Sequence, residues 1–186
     1  SEDVTGKSII LFCEQGMGDS VQFIRYAPMV AARGARVIVS CQPALKTIFK
    51  QIAGVDAVYG ENKPLPAADF NCALPDLPAI FGTTLATIPA DMPYLPLPTP
   101  SPRADNNSLR VALTWAGNPA HQNDRARSLS LKQLAPLLSL PGVRCYCFQV
   151  GDPQREVAQL NLTELLSVAR TSFADGRILK ALAQID

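Results

Sequence analysis

The chain carries almost no excess of either charge: 17 lysines and arginines face 16 aspartates and glutamates over 186 residues, a formal net charge of +1. Phosphate backbones are gripped by massed basic charge, so a nucleic-acid partner is disfavoured. Long apolar runs are missing too. Stretches such as Ser8–Cys13 fall far short of the roughly 20 residues a spanning helix needs, so no membrane span is expected. The opening Ser1–Lys7 lacks the basic-then-apolar order of a signal peptide, which points to a cytoplasmic protein, and a first residue other than Met fits a piece cut from a longer chain. Histidine occurs once, at His121, and the five cysteines Cys13, Cys41, Cys72, Cys145 and Cys147 contain no Cys-x-x-Cys. That leaves no metal-ligand spacing, so neither a metal nor a cofactor is expected. The odd cysteine count and the apolar neighbours point to buried, reduced thiols.

What is present is a globular composition, 47% hydrophobic and 18% charged. A chain of this length buries roughly 70% of its unfolded surface and needs no staple to fold. Proline marks the organisation: ten of the 16 prolines fall between Pro64 and Pro102. The run from Pro93 to Pro102 followed by Arg103–Ser108 is too rich in proline for helix or central strand, so Leu97–Ser108 reads as a linker between domains at 1–96 and 109–186.

Before the linker, an apolar strand at Ser8–Cys13 leads through the turn Gly16-Met17-Gly18 to a helix over Asp19–Arg33 that stops at Gly34. Pro28 should kink or break it. A strand at Arg36–Cys41, a helix at Pro43–Ile52 and a strand near Ala57–Tyr59 follow. After the linker come a strand at Leu109–Trp115, a loop, a helix at Ser130–Leu140, a strand at Val143–Val150, and helices near Pro153–Leu160 and Asp175–Ile185. Continuous apolar strands separated by helices predict parallel sheets covered on both faces. The expected class is therefore α/β, with two Rossmann-like lobes. The second, with two convincing strands, looks incomplete.

Two turns carry candidate chemistry. Glu14-Gln15-Gly16-Met17-Gly18-Asp19-Ser20 lies where ligands meet open parallel sheets, and glycines there let a substrate approach the backbone. It is not a dinucleotide fingerprint, because Val21 stands where a third small residue belongs, and not a nucleotide-phosphate loop, because Asp19 stands where Lys is needed. A carboxylate there suits a general base or a hydroxyl contact, or else serves as a helix N-cap worth about 1 kcal/mol. Gln22, Arg25 and Tyr26 lie about a turn further on and either line a cleft or form a solvated helix face. The second candidate runs from Trp115 to Ser128 and gathers the only Trp, the only His and two arginines. Arginine forks suit a diphosphate; the plainer alternative is a polar loop with Ser128 or Ser130 capping the next helix.

Residues 14–28, together with Trp115-Ala116-Gly117-Asn118-Pro119, Asn123–Ser128, Phe81–Leu85 and Ile88-Pro89, resemble the glycosyltransferase domain that follows tetratricopeptide repeats in many bacterial proteins. That domain is similar to heptosyltransferases and, more distantly, to O-linked N-acetylglucosamine transferases. The resemblance implies a GT-B arrangement, with the acceptor held mainly by the first domain and a nucleotide-sugar donor by the second. In heptosyltransferases the Gly-Asp pair of the first turn supplies the proposed base, which matches Gly18-Asp19, with Gly16, Gly18, Gln22 and Arg25 on the acceptor side. Their basic residue after the first strand of the second domain steadies the donor diphosphate. Arg125 and Arg127 are its nearest counterparts, with Asn118 and His121 beside them. Two departures stand out: heptosyltransferases place the helix proline closer to the Asp, and the family continues beyond the position of Asp186 with an Asp-Thr-x-x-x-His segment.

The implied activity is metal-independent, inverting transfer of a sugar from a nucleotide sugar to a hydroxyl of a glycan, lipid-linked sugar or protein. Asp19 would take the hydroxyl proton, and since an ordinary Asp titrates near 3.9, burial or Glu14 would have to make it a stronger base. The alternative is a non-catalytic fragment or interaction module that keeps the fold without a full donor site; a nucleotide-binding protein of another α/β family is a third. An unfinished second sheet would expose an apolar edge and favour a homo-oligomer formed by strand exchange.

Overall fold

A computed structural model describes residues 2–96, 108–162 and 166–168. These fall into two compact units that separate between residues 96 and 108. Nearly all of the expected linker, and the expected helix at Asp175–Ile185, lie outside the described residues.

The first unit is a four-stranded parallel sheet in the order β3-β2-β1-β4, built from β1 (Ser8–Phe12), β2 (Arg36–Cys41), β3 (Val55–Gly60) and β4 (Phe70–Ala73). Five consecutive residues of β2, from Val37 to Cys41, are buried, so both faces of this strand are covered, as its unbroken apolar run predicts. Leu11, Ile24, Ile38, Leu45, Ile48, Phe49, Leu74 and Leu77 are sealed from solvent and form the core. The short strand β4 was not expected. Four residues between Asp69 and the Leu74-Pro75 turn are too few for a periodic signal.

The expected long helix is three pieces: α1 (Met17–Phe23), a 3-10 turn at Ile24–Tyr26, and α2 (Ala27–Ala31). Pro28 sits in the first turn of α2 and has no N–H to return to Ile24. The Ile24 carbonyl instead accepts from Ala27 N–H, which tightens that turn. The helix ends at Ala31, short of the expected stop, and a turn over residues 32–34 follows, in which the Gly34 φ of +83° is open to glycine at no cost. Pro43–Leu45 forms a 3-10 turn that leads into α3 (Lys46–Phe49), and α4 (Leu77–Ile80) follows β4.

The second unit is a three-stranded parallel sheet in the order β5-β6-β7, from β5 (Leu109–Leu113), β6 (Val143–Cys147) and β7 (Leu166–Val168). The reading of two strands is corrected: β7 pairs along β6, placing β6 in the centre, but three residues give no periodicity to detect. Short helices α5 (Asp124–Arg127), α6 (Ala135–Leu138) and α7 (Glu156–Gln159) connect the strands. The last two are preceded by 3-10 turns, and Ser130, not Ser128, caps the first of these through a reciprocal box with Gln133. Leu113, Trp115, Leu131, Leu138, Cys145, Cys147 and Val157 make the core of this unit.

All five cysteines are unpaired thiols; four are buried and Cys72 is half-buried. Burial pushes the Cys13 thiol up to about 11 and that of Cys41 to about 12. No described helix is long and apolar enough to cross a membrane.

The first ends of β1 and β4 are tied together by Asp69. Its Oδ2 accepts from Ser8 N–H at 2.8 Å and from the Ser8 hydroxyl at 2.7 Å. Donation by the Ser8 backbone, then by its hydroxyl, holds the Asp69 carboxyl below its ordinary 3.8. A folded value below the unfolded one means this tie is present above the unfolded value and is lost as pH falls through the folded value. Urea midpoints should therefore fall on acidification below about pH 4, and Asp69→Ala should flatten that fall. An unchanged acid limb in the variant would show that Asp69 does not stabilise the fold.

Candidate functional site

In the first unit the chain builds β1, β2 and β3 outward in one direction and then returns to lay β4 on the other side of β1. The carboxyl end of β1 is thus a switch point, the place where an open parallel sheet leaves a crevice. Gly16 occupies the N-cap position of α1 with extended backbone, and Asp19 lies in the first turn rather than at the cap. The capping alternative for Asp19 is therefore corrected. Its carboxylate is exposed, makes no hydrogen bond among the described residues, and folds back so that a Cβ added to Gly16 would lie 3.3 Å from Oδ2.

One turn beyond Asp19, Gln22 and Arg25 line a cavity of about 480 Å³ with Phe23, Tyr26, Thr83 and Leu85. The far wall comes from the segment after α4. Tyr26 Oη and Thr83 Oγ1 are 3.1 Å apart, and the Tyr26 and Phe81 rings meet at 6.0 Å. Arg25 is held in place: Nε donates to the Gln22 carbonyl at 2.9 Å, Nη1 to the Pro89 carbonyl at 3.1 Å, and the guanidinium lies 4.3 Å above the Tyr94 ring. Along this lining Gln22 is exposed and Arg25 half-buried. Thr83 and Leu85 were not foreseen as lining residues, although their segment carried part of the resemblance.

The backbone of this turn is braced by a residue that sequence reasoning passed over. Gln42, directly after β2, donates from Nε2 to the Gln15 carbonyl at 2.8 Å, and its Oε1 accepts from the buried Ser20 hydroxyl at 3.2 Å. The usable signal was position: a carboxamide at the end of the strand beside β1 reaches the turn that follows β1.

In the second unit the turn after β5 is built more tightly. The Ser128 hydroxyl accepts from Gly117 N–H at 2.9 Å and donates to Asp124 Oδ1 at 2.8 Å. Leu129 N–H returns to the Trp115 carbonyl at 2.8 Å. Arg127 packs over Gly117, where an added Cβ would lie 3.2 Å from Nε and 2.9 Å from Asp124 Oδ1. Arg125 is exposed on α5 without that contact. Asn118 and His121 serve their own loop, since Asn118 Oδ1 accepts from Ala120 N–H at 3.0 Å and His121 Nδ1 from Asn123 N–H at 3.1 Å. Both side chains are exposed as well. Glu156 ties the loop to its neighbours, accepting from the Trp115 indole at 3.1 Å and from Leu131 N–H at 2.8 Å. It gave no sequence signal beyond being acidic at the start of a helix. Among the described residues no three His, Cys, Asp or Glu side chains gather as a metal site.

No family model matches the chain, and no curated protein or solved structure matches it significantly.

The glycines of the two turns differ in what holds them. A Cβ at Gly18 meets nothing within 4 Å, whereas at Gly117 it strikes the Asp124–Ser128 network. Gly18→Ala should therefore stabilise the fold by the helix-propensity gain of roughly 0.5–1 kcal/mol and raise the thermal midpoint, and Gly117→Ala should destabilise it by about 1–3 kcal/mol and lower the midpoint. Equal effects of the two in thermal unfolding would contradict this packing.

Proposed function

We propose that the chain is a sugar-transfer module of glycosyltransferase type. Its first unit takes the hydroxyl acceptor and its second takes the diphosphate of a nucleotide sugar, as the halves of a GT-B enzyme do. The observation that carries this reading is the separation of charge between two turns at carboxyl ends of parallel strands. One presents Asp19 beside an open Gly18, a turn away from a cavity of about 480 Å³; the other packs Arg127 over Gly117. The resemblance in the residues of both turns points the same way.

In this reading the acceptor oxygen attacks the anomeric carbon from the face opposite the leaving group, its proton passes to Asp19, and the carbon–oxygen bond to the diphosphate breaks. The electron pair leaves with the diphosphate oxygen, whose charge Arg127, Arg125 and backbone N–H groups offset. The carboxylate of Asp19 is exposed, so the bound acceptor has to supply the dry surroundings in which it works. Arg125, Asn118 and His121 would reach the donor from the loop surface, with Arg127 the best-placed of the four. The competing reading, a binding module without transfer, draws support from the way Asn118 and His121 are already engaged by their own loop.

Turnover of uridine and guanosine diphosphate sugars by the full chain separates the two. Asp19→Ala should cut turnover about 100-fold or more and change stability by less than about 1 kcal/mol, because Gly16 and not Asp19 holds the cap position. Wild-type binding without turnover would favour the binding module. Arg127→Ala and Arg125→Ala should each weaken nucleoside-diphosphate binding in calorimetry by about 1.5–3 kcal/mol where a charged hydrogen bond forms, less as salt rises. Affinities equal to wild type would remove both arginines from the site.

A further inference from the structure

Where a strand leaves a parallel sheet, its backbone N–H and C=O groups lose their ladder partners while still partly buried, and something must satisfy them. At β5 the last ladder bond runs from Phe148 N–H to the Leu113 carbonyl at 2.9 Å. Beyond it the partner is a side chain. Gln149 is 3% exposed, and its Oε1 accepts from both Trp115 N–H and Ala116 N–H at 2.9 Å. Its Nε2 donates to the carbonyls of Ala116 at 3.1 Å and Val150 at 3.0 Å. Both lone pairs and both N–H groups are used, so the amide has one orientation: flipped, it would set N–H against N–H and oxygen against oxygen. Gln42 braces the turn after β1 in the same way, from the end of the strand beside it.

We propose that Gln149 is a positioning residue for anion binding. It sets the Trp115–Gly117 backbone so that Gly117 stays under Arg127 and that guanidinium is presented to a nucleoside diphosphate. The proposal rests on the donor-side reading given above. A merely structural glutamine would change stability and leave the affinity of the folded protein alone; a positioning glutamine changes the affinity through the turn.

The test uses the full chain and uridine diphosphate as the probe. Gln149→Met keeps the length of the side chain and removes all four hydrogen bonds. In this variant the Trp115 and Ala116 amides should exchange with solvent about tenfold faster while those of Cys145 and Cys147 in β6 keep their protection, and uridine diphosphate should bind about tenfold more weakly. Because Gln149 and Arg127 act through one turn, the double variant with Arg127→Ala should lose less than the product of the two single losses. If the wild type binds uridine diphosphate and folded Gln149→Met binds it equally well, the positioning role is overturned and the donor reading stands. If the wild type binds neither uridine nor guanosine diphosphate, the donor reading fails and the role falls with it. Should Gln149→Met not keep its sheet, Gln149→Glu carries the comparison. It retains the accepting oxygen, and its affinity should recover as pH falls and the carboxyl regains a donor; an affinity equal to wild type at every pH overturns the role.

Discussion

The ends of the parallel strands impose the constraint on which this molecule depends. A parallel ladder satisfies the backbone only while both strands run on, and the residues that matter for ligands begin where one of them stops. In each unit the repair comes from the neighbouring strand: Gln42 one residue past β2, Gln149 two residues past β6. An alkyl side chain at either position would leave two or more polar backbone groups without partners, at roughly 1–3 kcal/mol for each that is buried. The glutamines let a strand end in a defined turn instead of a frayed one. The two turns differ on their outer side: Gly18 is open, whereas Gly117 lies under Arg127 and Asp124.

Most of the architecture was legible because it rests on long, unbroken signals. β1 and β2 are strands of five and six residues with apolar centres, and their parallel pairing follows from the helices between them. The break in the first long helix was legible for a stereochemical reason, the missing N–H of Pro28. β4 and β7 were not legible. They contain four and three residues, and what makes them strands is the edge already presented by β1 and by β6. Their strand character lies in the partner, which no local window can contain.

The candidate site divides along the same line. The two turns could be found from glycine, charge and position, and the cavity behind Gln22 and Arg25 was open as one of two alternatives. Which residues hold those turns could not be found, since Gln42, Ser128, Gln149 and Glu156 act across 11 to 41 positions in sequence. The capping alternative for Asp19 failed for a related reason. Both Gly16 and Asp19 are acceptable near a helix start, and the choice fell to the chain's path out of β1, which brings Gly16 to the cap with extended backbone.

The two turns also divide the electrostatics in a way that composition alone conceals. Glu14 and Asp19 flank one glycine turn, while Arg125 and Arg127 follow the other. A carboxylate in the first turn of a helix gains from the helix dipole and also repels phosphate, which on the proposed reading suits the first turn to a hydroxyl-bearing ligand rather than an anion. The second turn carries the opposite charge, with a guanidinium packed directly over backbone that a Cβ would obstruct. A protein that bound one anionic ligand at both places would gain nothing from Asp19. One that brings a neutral hydroxyl and a diphosphate to separate turns uses each charge where it discriminates, and on the proposed reading this division of labour is what the near-neutral sequence encodes.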